Sequence, residues 1–126
     1  MADYHDQQAG LGWAGESMKP IDPQAALETM WNIAPKYAKA KAERIYMEEF
    51  RKTLKATLMK SCGMESIGAQ EREAYSHANY VTHLEGLRAA VEQEENLRWR
   101  LVTSQAAVEV WRSQEASARA VDRAAA

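Results

Sequence analysis

From His77 to Arg123 the chain has no proline and a single glycine, Gly86. Ala, Leu, Glu, Arg and Gln dominate this stretch, and all are good helix formers. One continuous helix of that length would reach about 70 Å at about 1.5 Å per residue. A compact globule of 126 residues is only about 36 Å across. Such a helix cannot bury its whole apolar stripe against a globular body of its own chain. Either it breaks, near Gly86 or Glu92–Asn96, or the remainder packs on another chain. Self-association, a dimer first, is the favoured expectation, with a tail that orders on a partner as the rival.

A second long helix is legible upstream. Asp22 is a good N-cap and Pro23 suits the first helical position, where its missing N–H costs nothing. Leu27, Met30, Trp31 and Ala34 follow at helical spacing. Pro35 predicts a kink or short break near Ala34, which gives helices over 23–34 and 35–61. Tyr37, Ala40, Met47, Leu54 and Leu58 form the next apolar face, widened by Ile45 and Phe50. Cys62-Gly63 ends it, with glycine supplying a left-handed cap. Residues 64–76 read as a connection with a turn or two of helix across Gln70–Tyr75, and Ser76 as the cap of the last helix, 77–123. There, Tyr80, Leu84, Leu87 and Val91 make one stripe. After Glu92, Glu94 and Glu95 a stripe restarts one position off through Leu97, Leu101, Val108 and Trp111, which resembles a coiled-coil register slip.

No β pattern occurs. The expected class is all-α: two long helices in an antiparallel hairpin or coiled-coil-like bundle, with a kinked short N-terminal helix. Residues 21–126 form the single helical domain. Residues 1–20, with Gly10, Gly12 and Gly15, read as a flexible arm in which Leu11 and Trp13 are the candidate partner-binding anchors.

Hydrophobic residues at 46% and charged residues at 27% exclude wholesale disorder. No run approaches the roughly 18 apolar residues needed to cross a bilayer, and no basic-then-apolar leader begins the chain. Membrane and secreted readings are therefore poor, and the lone cysteine, Cys62, fits a reducing cytoplasm. The net charge of -2 hides blocks of opposite sign. Residues 1–35 carry five acidic groups against Lys19, and residues 36–60 carry eight basic groups against three acidic ones. Such blocks suit helices lying with opposite signs together, the basic block facing the acidic 85–95 stretch. They also suit a basic surface for nucleic acid.

Catalytic signals are weak. His77 and His83 are six apart, on different helix faces, and His5 lies in the arm, so no metal pair forms. Cys62 has no evident activating base. No glycine-rich loop follows a strand. The expectation is no enzyme, no metal and no cofactor. The more informative residues are cationic. Arg98, Arg112 and Arg119 share one heptad series with Gln105, flanked by Trp99 and Trp111, and could grip phosphates and stack bases. They could equally be ordinary helix-surface ion pairs, with the tryptophans in the core. In the first helix Lys41, Arg44, Lys52 and Lys55 come nearest to a shared side, with Glu48 among them.

The stretches Ala38–Lys52, Ala69–His77 and Val108–Ala116 resemble small helical phage and prophage proteins, a likeness that spans about residues 27–123. The resemblance implies a setting among phage replication and recombination genes, near single-strand annealing proteins and exonucleases. It carries no catalytic motif. The leading expectation is a non-enzymatic phage accessory protein of DNA replication or recombination, cytoplasmic in the host cell, that binds single-stranded DNA or a recombinase. Its candidate residues are Lys41, Arg44, Lys52, Lys55, Arg98, Arg112 and Arg119, with Trp99 and Trp111 stacking or anchoring. The alternative is a phage inhibitor of a host defence protein, anti-CRISPR-like, working through Leu11, Trp13 and part of the helix stripe. A coiled-coil scaffold is the third.

Overall fold

The computed structural model describes residues 19–126, so Leu11, Trp13, His5 and nearly all of the expected arm lie outside the described residues. Among the described residues the chain is three α-helices: α1 Pro23–Ser61, α2 Ile67–Ser76 and α3 Ala78–Ala125. Asp22 caps α1, its Oδ1 accepting from the Gln24 amide at 3.0 Å. At the other end Gly63 adopts a positive φ of 74°, the left-handed turn that leaves a helix.

The expected break at Pro35 is absent, and α1 runs through it as one helix of 39 residues. Pro35 lies on the solvent side, where water can satisfy the Trp31 carbonyl that loses its helical partner. The packed side chains on either side, Ile33 and Tyr37, hold the helix in place. Nor does α3 break at Gly86 or Glu92–Asn96; it is continuous over 48 residues. The connection is also more ordered than expected. α2 begins at Ile67, capped by Ser66, whose hydroxyl accepts from the Ala69 amide. His77, rather than Ser76, caps α3, with Nδ1 accepting from the Asn79 amide at 3.0 Å. Ser76 instead donates back to the Arg72 carbonyl at 2.7 Å.

α1 and α3 lie side by side, antiparallel. Leu58 packs with Tyr80, Met47 meets His83, Arg44 meets Glu94, and Ala40 packs with Leu97. Residue number falls along one helix as it rises along the other. Two small apolar clusters anchor the seam: Ile33, Ala40 and Leu97 with Tyr37 and Leu101, then Leu58, Ala74 and Tyr80 with Leu54 and Met59. Inward positions of α3 are Tyr80, His83, Leu87, Ala90, Glu94, Leu97, Leu101, Ser104, Val108 and Trp111, alternately three and four apart. There is no slip of register. Leu84 and Val91, expected to be inward, are exposed, as are Ile45 and Phe50 on α1. Past Trp111 every residue of α3 is exposed, so its C-terminal end stands clear of α1.

Leu97 is nearly enclosed in the cluster with Ile33 and Ala40, so Leu97→Ala should lower unfolding stability by about 3 kcal/mol. Gly86 gives the opposite expectation. A Cβ there would come 2.9 Å from Met47 Cε, the free end of a flexible side chain. The helical gain of alanine over glycine, about 1 kcal/mol at most, exceeds the small shift Met47 must make. Gly86→Ala should raise the urea midpoint followed by helical circular dichroism, while Leu97→Ala lowers it.

Candidate nucleic-acid interface

The predicted cations separate into three settings. Arg44 lies within the seam rather than on a solvent face. Its Nη2 donates to Glu94 Oε1 at 2.9 Å, its Nε to Glu94 Oε2, and its Nη1 to Glu48 Oε2 at 3.0 Å. Glu94 is buried, so this fork satisfies a carboxylate that would otherwise be stranded from water. Arg44 therefore serves the fold and offers little to a ligand. It is also the contact between the basic block and the acidic stretch that the charge pattern implied.

Along α3, Arg98 donates from Nη2 to Glu95 at 2.8 Å, and its guanidinium lies 4.6 Å from the centre of the Trp99 ring. Trp99 is exposed, whereas Trp111 is half-buried on the inward side and so belongs to the seam. Arg112 is paired with Glu109 at 3.3 Å. Among the described residues Lys41 and Arg119 make no salt bridge, and both are exposed. Lys41 and Arg98 both lie close enough to Glu94 to favour its ionised form.

The third setting is a corner where the three helices meet. Ala74 is fully buried between Leu58 and Tyr80, and its small side chain lets α2 sit close against both long helices. The next residue, Tyr75, is thereby turned outward beside Tyr80, the rings meeting edge to face at 5.2 Å. Lys55 reaches over Tyr75, its Nζ 4.7 Å from the ring centre and 3.4 Å from Glu71. Tyr75, and then Glu71, hold its ammonium above the ordinary lysine range. Arg51, Lys52, Lys55, Tyr75 and Tyr80 line a cleft of about 490 Å³. Lys52 is tethered to Glu49 at 3.3 Å, and Arg51 makes no salt bridge among the described residues.

Lys52 and Lys55 were legible as basic residues in the sequence. Arg51, Tyr75 and Tyr80 are not among the sequence-predicted site residues: Tyr80 reads as part of the apolar stripe of α3, and Tyr75 reaches α1 only through the docking of α2. Cations beside the exposed Tyr75 ring suit a phosphorylated ligand with a flat ring to stack. Among the described residues no group of three or more His, Cys, Asp or Glu side chains is placed to hold a metal ion, and no helix is long and apolar enough to cross a membrane.

The Arg44 fork holds the Glu94 carboxyl below its ordinary range. A group depressed by folding stabilises the folded state above its unfolded value, near pH 4.3, and that contribution fades as pH falls through the folded value. Acid should therefore destabilise the chain below about pH 4.3. In Glu94→Gln, unfolding curves collected from neutral pH downward should start from lower stability and fall less steeply.

Compared with known proteins, the chain matches no family model, no curated protein and no solved structure.

Proposed function

We propose that this chain is a non-enzymatic accessory protein of phage DNA replication or recombination, a coiled-coil-like helical hairpin that binds single-stranded DNA. The observation that carries the reading is the corner cleft lined by Arg51, Lys52, Lys55, Tyr75 and Tyr80, in which the Tyr75 ring is exposed. Single strands are held by cations that follow the backbone and by aromatic rings on which bases stack. A duplex presents no free base face to Tyr75, so the cleft favours the unpaired strand. Arg98, Trp99 and Arg100 on α3 add a second cationic and aromatic element. The resemblance of residues 27–123 to phage proteins of replication and recombination neighbourhoods supports the setting, the host cytoplasm.

A second reading has its own observation. Five of the seven predicted cations, Arg44, Lys52, Lys55, Arg98 and Arg112, are paired with carboxylates of the chain itself. Paired cations of this kind weaken a phosphate-binding surface, and they favour a protein partner, either a recombinase or a host defence protein captured by an anti-CRISPR-like inhibitor.

Fluorescence anisotropy with labelled single-stranded and duplex DNA separates the readings. The DNA reading predicts salt-sensitive binding that favours single strands. Removing one phosphate-binding cation, as in Arg51→Ala or Lys55→Ala, should flatten the log–log salt slope by about 0.7. Tyr75→Ala should weaken binding by about 1–3 kcal/mol at every salt concentration. No binding at low salt would remove the cleft as a DNA site and leave the protein-partner reading.

A further inference from the structure

We propose that α1 carries a second helix-packing seam, formed by Leu27, Trp31, Ala34, Ala38, Lys41 and Ile45, and that the same seam of a second copy occupies it in a twofold, antiparallel dimer. Each of these residues follows by one position a residue that faces α3: Ala26, Met30, Ile33, Tyr37, Ala40 and Arg44. One position is about 100° round a helix. The second stripe therefore repeats the four-three spacing of the first on a separate side. That spacing built the seam with α3, and it takes another helix in the same way.

Among the described residues nothing covers the stripe. Trp31 is 83% exposed, Leu27 53% and Ile45 44%. An indole left this open in an apolar row is a feature of a surface that a partner covers.

The pattern also says which partner. About a twofold axis level with Lys36, antiparallel copies place Leu27 against Ile45 of the second copy, Trp31 against its Lys41, and Ala34 against its Ala38. Two alanines at the axis let the backbones approach, and the bulky pair closes each end. Lys41 lies over the Trp31 indole, with the Glu28 carboxylate one turn before it. A parallel pairing would set Lys41 against Lys41 and leave Trp31 without its cation. The surface pairs its unlike residues with one another in the antiparallel arrangement, whose twofold axis makes the interface isologous. Each corner cleft stays outside this interface, the two lying roughly 50 Å apart along the dimer.

Sedimentation equilibrium at micromolar concentration, without DNA, tests this independently of the DNA reading. The wild-type chain should show twice its 14.2 kDa mass. Trp31→Glu should keep the helical circular dichroism and raise the dimer dissociation constant about 30-fold or more. In a Cys62→Ser background, mixed Ala34→Cys and Ala38→Cys chains should cross-link faster than either chain alone, and faster than Ala56→Cys. A monomeric wild type, a dimer untouched by Trp31→Glu, or cross-linking indifferent to position would each overturn the proposal.

Discussion

One ion pair sets the terms on which two long helices share a seam. Glu94 sits on the inward side of α3, where an ionised carboxylate has little access to water, and Arg44 of α1 meets it with two donors. A buried pair of this kind adds little net stability over a well-packed apolar one, because both groups give up hydration. Its effect is on choice. If α3 slides by a heptad towards the start of α1, Leu and Ala positions still find apolar partners, but Glu94 meets Tyr37 in place of its cation. Apolar side chains tolerate several registers, and this carboxylate tolerates fewer.

The rest of the structure is arranged around that register. His83 donates from Nε2 to the Met47 carbonyl at 2.7 Å, another directed contact where an apolar residue would have been neutral to sliding. The thin apolar clusters on either side supply the burial, and neither contains a large side chain that is completely enclosed. With Leu58 and Tyr80 aligned, Ala74 fits between them and α2 closes the corner. The cleft of Arg51, Lys52, Lys55, Tyr75 and Tyr80 is thus a consequence of register as much as of local sequence.

Much of the helical outline was readable in advance. Asp22-Pro23 and Gly63 mark the ends of α1 because capping is a local matter. The misplaced features are those that depend on neighbours. A break at Pro35 follows from backbone chemistry alone, but packing of Ile33 and Tyr37 carries the helix through it. A register slip in α3 follows from the apolar side chains taken alone. The true inward row includes His83, Ala90, Glu94 and Ser104, whose partners lie on α1 or whose size suits a close approach. In the candidate site, Lys52 and Lys55 are visible as charges, while Tyr75 becomes relevant only through the placement of α2 beside Tyr80 of α3. Arg44, counted as a ligand-binding cation, is taken up by the fold.

Among the described residues, the basic corner and the exposed stripe of α1 lie on separate parts of the molecule. Both are fixed in space by the pairing of α1 with α3. A double-mutant cycle on Arg44 and Glu94, each replaced by leucine singly and together and followed by urea unfolding, tests that pairing most directly. Each single change should leave one charge unpaired in the seam and lower stability, and the double change should recover much of the loss. Independent, additive losses would contradict the pairing of these residues and the register built on it.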